Sequence, residues 1–308
     1  MKKHVLLIAG GGTLGTYTAE ELLRQGHRVD IICLEDMVSD NEDLNFYKAD
    51  ATLEYLEGFL QKKHYDGIVN FIHYPVAEEY VPYHQLLSRN TEHLIFLSSY
   101  RVYADLQHPI TEEAPMLLDV IDDPEFLAKE DYALSKAKCE RFLRCNPYRK
   151  NWTIVRPVIS FSQRRFDINM VSGRDVVDAA QKKQTIVLPL EARHLTAGLD
   201  WSGNSGKLIA NLLFKKECMG EAYTISTAQN LSWEEVAEIY TDLLGVEFIW
   251  KKAEFPANSW MWFYDRAYDR EIDNTKVLKA TGLTKEDFKS IKEGIEIELT
   301  KLGVNYRG

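Results

Sequence analysis

Apolar residues in the first half of the chain fall in short unbroken runs, each followed by a stretch with helical spacing. Val5, Leu6, Leu7, Ile8 and Ala9 open the series. Apolar residues in a row, without polar alternation, predict a strand buried on both faces, as in a parallel sheet. Further strands are predicted over residues 28–33, 45–49, 66–73, 93–97 and 152–155. Helical patterns fill the gaps up to Gln25, over 53–63 and over 77–89, and a longer one starts near Pro124 or Lys129 and reaches Cys145. Strands alternating with helices, with no repeat at solenoid period, predict a Rossmann-type α/β fold with a doubly wound parallel sheet. Residues 104–124, rich in acids and prolines, read as a surface loop.

Beyond the sixth strand the pattern changes. Residues 158–175 are polar and irregular, a helix is predicted near 174–183, a strand over 185–189, a helix around 204–216 and a strand over 221–225. Ser232-Trp233-Glu234-Glu235 is a capping box, opening a helix that stops at Gly245. A short strand follows at 248–250, and Thr284 to Asp287 marks the start of a final helix reaching about Leu302. Phe255, Trp260, Trp262, Phe263, Tyr264 and Tyr268 crowd one segment. They suit a stacking lid over a base or sugar, or the core or subunit contact of a small domain. This divides the chain into a dinucleotide-binding domain, 1–160, completed by part of 195–228, and a smaller α/β substrate-binding domain, 161–308.

Charge and cysteine usage narrow the classes. A net charge of -10 disfavours general attraction to nucleic acid or anionic membrane. No apolar run approaches the ~18 residues of a membrane span. The first run leads into a glycine loop, so it reads as a strand and not as a signal peptide. Cys33, Cys139, Cys145 and Cys218 lack C-x-x-C spacing, which fits a reducing compartment, and a cytoplasmic location is expected. There is no H-E-x-x-H pair, and no protein-held metal is expected.

Gly10, Gly12 and Gly15 fit G-x-G-x-x-G between a strand and a helix. In that motif the first glycine allows the tight turn, the second lets backbone approach a pyrophosphate, and the third lets helix pack on strand. The helix N-terminus then favours an anion. The other reading is a tight turn that binds nothing. After the second strand come Glu35 and Asp36. A carboxylate there can bind the adenosine ribose and favour NAD over NADP, with NADP still open; the pair also suits a solvated turn. Asp50, ending the third strand, lies where such sheets bind ligands, or else caps the helix near Thr52.

Tyr132 and Lys136 are four apart and share a helix face. A free tyrosine titrates near ~10, and a nearby ammonium favours its phenolate. Such a tyrosine can move a proton on or off a substrate hydroxyl, which Ser99 at the end of the fifth strand can also hold. With a nicotinamide present the set would interconvert an alcohol and a carbonyl. A Tyr-x-x-x-Lys pair alone arises by chance. Here it follows the glycine loop and Ser98-Ser99, and precedes Arg156-Pro157.

Motifs in this order resemble the extended short-chain dehydrogenase/reductase superfamily, in its NAD-dependent epimerase/dehydratase branch, over nearly the whole chain. The resemblance implies that Gly10, Gly12, Thr13, Leu14 and Gly15 hold the cofactor and that Asp50 and Ala51 meet its adenine. It places Phe71, Ile72, His73 and Ser98 along the cofactor, and Pro157 and Val158 over the nicotinamide. Ser99 and Tyr132 become catalytic, with Lys136 also holding a ribose. Departures accompany it. Ala9 stands where many relatives have glycine, the second strand lacks a terminal acid, and the segment between the fourth and fifth strands is short. That shortness resembles the branch with isoflavone-reductase-like and chloroplast RNA-binding members. Ser99-Tyr100-Arg101 replaces the Thr-Asp-Glu of sugar-nucleotide dehydratases, which disfavours dehydration.

On the substrate side Arg101, Arg164, Arg165, Arg266 and Arg270 are candidates to hold a substrate or its diphosphate, or are solvated surface arginines. His194 reads as structural. The implied activity is NAD(P)-dependent epimerisation or oxidation-reduction of a sugar or nucleotide-sugar. The rivals are a non-catalytic cofactor-binding or sensing protein and, third, an RNA-binding protein. Many relatives pair two helices into a dimeric four-helix bundle, here 77–89 and 129–145; the short first helix keeps a monomer open.

Overall fold

The computed structural model describes residues 1–129, 131–146 and 149–307. Its strands are β1 His4–Ile8, β2 Arg28–Cys33, β3 Leu44–Lys48, β4 Tyr65–Asn70, β5 Thr91–Leu97, β6 Trp152–Pro157, β7 Ile159–Phe161, β8 Ile186–Pro189, β9 Leu199–Trp201, β10 Ala222–Ile225 and β11 Phe248–Lys251. Seven of them form one parallel sheet in the order β10-β6-β5-β4-β1-β2-β3. The chain winds outward from β1 to β3, then crosses back to β4 on the other side of β1. A crevice opens at such a reversal, beyond the carboxyl ends of the strands, because the flanking loops part there.

The helices are α1 Thr13–Arg24, α2 Leu53–Leu60, α3 Tyr80–Arg89, α4 Leu117–Val120, α5 Pro124–Leu127, α6 Tyr132–Cys145, α7 Asp175–Lys182, α8 Ser202–Leu212, α9 Trp233–Leu244, α10 Thr275–Thr281 and α11 Ile291–Lys301. Alternation along β1 sorts its side chains between two layers. Val5 and Leu7 meet Ala19 and Leu22 of α1 and Leu208, Ile209 and Leu212 of α8. Leu6 and Ile8 meet Leu56 and Leu60 of α2, Leu87 of α3 and Cys139 and Leu143 of α6. All four β1 residues are fully buried, so each contributes roughly 1.5–3 kcal/mol. A third cluster gathers Val176, Leu188, Trp233, Val236 and Tyr240 around Phe161 and Phe166.

Several expectations are corrected. Residues 104–124 are no simple surface loop: Ile110, Ala114 and Leu117 are buried, and Ile110 forms a parallel bridge with Ile272. The acids had masked a segment that ties the sheet to the C-terminal part. Of the two starts considered for the long helix, the structure has the later one: Asp123 caps a separate short α5, and Asp131 caps α6, which begins at Tyr132 and ends at Cys145. Thr284 and Asp287 do form a capping box, but it closes only a single 3-10 turn. The final helix begins at Ile291 under a second box, Ser290 with Glu293, where the buried series Ile291, Ile295 and Leu299 begins. The helix placed at 204–216 starts and ends earlier, as α8. Within 158–175 lies the strand β7, paired with β9, and α10 occupies a stretch for which no element was predicted. Among the described residues all four cysteines are free, and no helix is long and apolar enough to cross a membrane.

Candidate active site

After β1 the backbone turns sharply. Ala9 adopts the left-handed region with φ 56°, a conformation that favours glycine and that costs an alanine roughly 1–2 kcal/mol. A Cβ on Gly15 would stand 2.1 Å from the Gly10 carbonyl oxygen, so α1 packs directly on the loop. A Cβ on Gly12 would meet nothing within 4 Å, because Gly12 faces the crevice. Gly12 is also the N-cap of α1 and has no side-chain capping bond, which leaves first-turn N–H groups without a side-chain acceptor.

Two cavities meet at Ala9, Gly12 and Phe71. One, of about 520 Å³, is lined by Glu35, Asp50, Ala51, Ile72 and His73. The other, of about 480 Å³, is lined by Thr13, Leu14, Gly15, Ser98, Ser99, Arg101, Tyr132, Pro157, Val158 and Arg266. Gly10 and Lys136 stand behind these walls. Thr52, not Asp50, caps α2, so Asp50 is left facing its cavity. The Glu35 carboxylate lies against the loop, 2.6 Å from where a Gly11 Cβ would be. Asp36 instead pairs with Lys48 at 3.0 Å on the surface.

Ser99 caps the short turn Tyr100–Val102, its hydroxyl accepting the Arg101 N–H at 3.2 Å. Tyr132 begins α6 and lines the same cavity as Ser99. Burial holds the Tyr132 phenol above its ordinary value, and Arg101, the Ser99 hydroxyl and Arg165 pull it only part of the way back. Two cations flank the Tyr132 ring at nearly equal distance, the Arg101 guanidinium carbon at 5.6 Å and Lys136 Nζ at 5.7 Å from its centroid. Lys136 donates to the carbonyls of Ile72 at 3.1 Å and Leu97 at 2.6 Å, just past β4 and at the end of β5. Its burial pushes it down to about 8. His73 shares a hydrogen bond with Ser135 at 3.1 Å and tilts against the Tyr132 ring, 4.8 Å between centroids.

Behind Ser99 lies a buried network. Glu140 accepts from the Ser98 hydroxyl and from Arg156 Nε, the latter at 2.9 Å. Arg156 donates onward to the Tyr103 hydroxyl at 2.8 Å, which bonds Thr224 at 2.7 Å. This joins β5, α6, β6 and β10 below the catalytic candidates. Glu140 follows Lys136 by four residues, and that helical spacing was the signal available in the sequence.

The arginines separate by environment. Arg164 reaches across to the glycine loop and donates to the Gly11 carbonyl at 3.1 Å, beside a Ser162–Thr13 hydroxyl contact of 3.1 Å. Arg165 is held by Asp167. Arg266 is buried, donating to Asn169 O at 2.9 Å and to the Tyr100 hydroxyl at 3.0 Å. Arg270 is neither on the surface nor on a cavity wall: it is 1% exposed, stacks on Tyr100 and Tyr268, and donates to Tyr103 O. The aromatic segment is mostly packing, with Phe255 stacked on Trp262 and Phe126 on Tyr264. Its π-helical turn Trp262–Arg266 also brings Met261, Asp265 and Arg266 to the second cavity. No local pattern marked Asp265 in the sequence. His194 is exposed and pairs with Glu234.

The sequence profile of the NAD dependent epimerase/dehydratase family matches residues 6–193, more than half of the chain. The chain belongs to this family. Solved structures agree on the fold. The epimerase Mth375 of Methanothermobacter thermautotrophicus is 15% identical, with a TM-score of 0.74 over 97% of this chain and 93% of that one. WbmG of Bordetella bronchiseptica, solved with NAD and UDP, is 16% identical, with a TM-score of 0.74 over 99% and 97%. The UDP-N-acetylglucosamine 4-epimerase of Bacillus cereus is 16% identical, with a TM-score of 0.71 over 99% and 98%. Among curated protein sequences nothing matches the chain significantly.

Proposed function

We propose that this epimerase/dehydratase-family chain is an NAD-dependent enzyme that epimerises or oxidises and reduces a sugar or nucleotide-sugar. The observation that carries the reading is the meeting of the Ser99–Tyr132 pair with the open glycine loop along one crevice at the sheet reversal. The residues fit a dinucleotide. The space over Gly12 and the uncapped start of α1 suit its phosphates, with Thr13 and Leu14 beside them. Glu35 and Asp50 suit the adenosine half, and Lys136, Pro157 and Val158 the nicotinamide half. When bound, the cofactor takes and returns a hydride.

The chain's own residues manage the proton. Ser99 holds the reacting hydroxyl by a hydrogen bond and fixes it against Tyr132. The Tyr132 oxygen takes the hydroxyl proton and later returns it, while the Arg101 and Arg165 charges stabilise the phenolate. Glu140 and Arg156 keep Ser98, and with it the Ser99 backbone, in place. Residues 161–308, apart from the part of 195–228 that completes the sheet and its helix layer as α8 and β10, cover the substrate in this reading.

The test is an NMR assay of C4 epimer interconversion, with NAD supplied, on UDP-glucose and UDP-N-acetylglucosamine. Tyr132→Phe should lower turnover at least ~100-fold and leave NAD affinity unchanged. A protein that binds NAD, but whose turnover is absent or indifferent to Tyr132→Phe, is a binding or sensing protein instead.

A further inference from the structure

The wall around Ser99 and Tyr132 holds more positive charge than a neutral sugar needs. Arg101, Arg165 and Arg266 line that cavity. Ion pairs link them and Arg270 to Asp131, Asp167 and Asp265, four guanidinium groups against three carboxylates. The carboxylates are already engaged. Asp265 accepts the Tyr100 hydroxyl at 2.8 Å and pairs with Arg266 and Arg270. Asp131 accepts the Ala133 N–H at 2.8 Å as the cap of α6. Asp167 takes Arg165 at 2.6 Å.

Of the arginines on the cavity wall, Arg101 is the one held only by long contacts. Its contacts are 3.3 Å to Asp131 and 3.3 Å to Asp265, longer than the ~2.7–2.9 Å of a good charge-assisted bond. Its buried Nε is the atom that meets Asp265, and it does so without hydrogen-bond geometry. The side chain is 12% exposed, so water makes up little of the deficit. A desolvated, under-paired guanidinium favours an anion, and its planar fork matches a carboxylate.

Position says where that anion sits. The Arg101 guanidinium carbon is 5.6 Å from the centroid of the Tyr132 ring. A diphosphate joined at the anomeric carbon lies across the sugar ring from the reacting hydroxyl. An anion beside Tyr132 belongs to the reacting ring itself. We infer that the substrate carries a carboxylate on its reacting sugar ring, as a uronic acid does, and that Arg101 holds it beside Tyr132. This rests on the sugar epimerase or oxidoreductase reading of the site. A phosphate ester on that ring would offer negative charge too, about −1.5 to −2 against the carboxylate's single charge, in a larger group.

The NAD-loaded protein is titrated calorimetrically with UDP-glucuronate and UDP-glucose, which differ only in a carboxylate against a hydroxymethyl group. UDP-glucuronate should bind at least ~10-fold tighter, the scale of one bond to a charged group. Arg101→Gln should bring the two within about threefold, and Arg101→Lys should keep part of the preference; retained NAD binding shows that each variant is folded. Free glucuronate against glucose 6-phosphate separates carboxylate from phosphate. Equal binding of the two UDP-sugars overturns the inference. So do no binding of either by NAD-loaded protein, a preference that survives Arg101→Gln, and tighter binding of glucose 6-phosphate. The broader reading fails by different signs, through absent NAD binding or turnover indifferent to Tyr132→Phe.

Discussion

Gly12 and Gly15 lie three residues apart in one motif, yet the fold assigns them opposite liabilities. In Gly15→Ala the new Cβ would be 2.1 Å from the Gly10 oxygen and 2.6 Å from its carbonyl carbon and Cα, all backbone atoms. To restore contact distance, α1 must retreat by roughly 1 Å, and a gap of that size forfeits a quarter to a half of each dispersion well it opens. Ala19 and Leu22 lose that packing against the sheet and α8. Overpacking and the lost contacts together should cost about 3 kcal/mol. In Gly12→Ala the methyl meets open space. The weaker N-cap and the less flexible unfolded chain offset each other, leaving stability within about 1 kcal/mol of wild type. The same methyl fills the place proposed for the phosphates, so NAD affinity should fall at least ~100-fold. Urea midpoints without NAD measure the first effect. Thermal shift with NAD measures the second: at 100 times its wild-type Kd, NAD stabilises wild type by about 2.7 kcal/mol and should stabilise Gly12→Ala by no more than about 0.4 kcal/mol. A Gly12→Ala protein that binds NAD within threefold of wild type would refute the phosphate seat. A Gly15→Ala protein with the wild-type midpoint would refute the packing argument.

Two more outcomes follow from the buried charges. Glu140→Ala strands Arg156, which is 1% exposed, and should cost about 3–5 kcal/mol in denaturant unfolding; adding Arg156→Met should recover part of that loss, and a purely additive double variant would contradict the pairing. Lys136 titrates at about 8 when folded, below its ordinary 10.5, so between these values the unfolded state binds more protons and stability rises with pH. Relative to Lys136→Met, wild type should therefore gain about 3 kcal/mol from pH 8 to pH 10.5, and a constant difference across that window would contradict a charged, buried lysine at neutral pH.

The alternation of apolar runs with helical stretches, the glycine loop and the four-residue step from Tyr132 to Lys136 were legible because each is a local, periodic signal. Strand or helix period fixes which side chains share a face before any partner is known. Where an element starts was less legible. Thr284 and Ser290 both open capping boxes, and only burial of Ile291, Ile295 and Leu299 decides which box carries a helix. Charges carried no such period. Arg164, Arg165, Arg266 and Arg270 look alike in sequence, yet one lies on the glycine loop, one lines the cavity from a salt bridge, and two are buried around Asp265. Arg101 acts on Tyr132 from 31 positions away only because the turn that follows β5 lies beside the start of α6. An ion pair depends on distance and desolvation between remote segments, and those quantities exist only once the chain has folded.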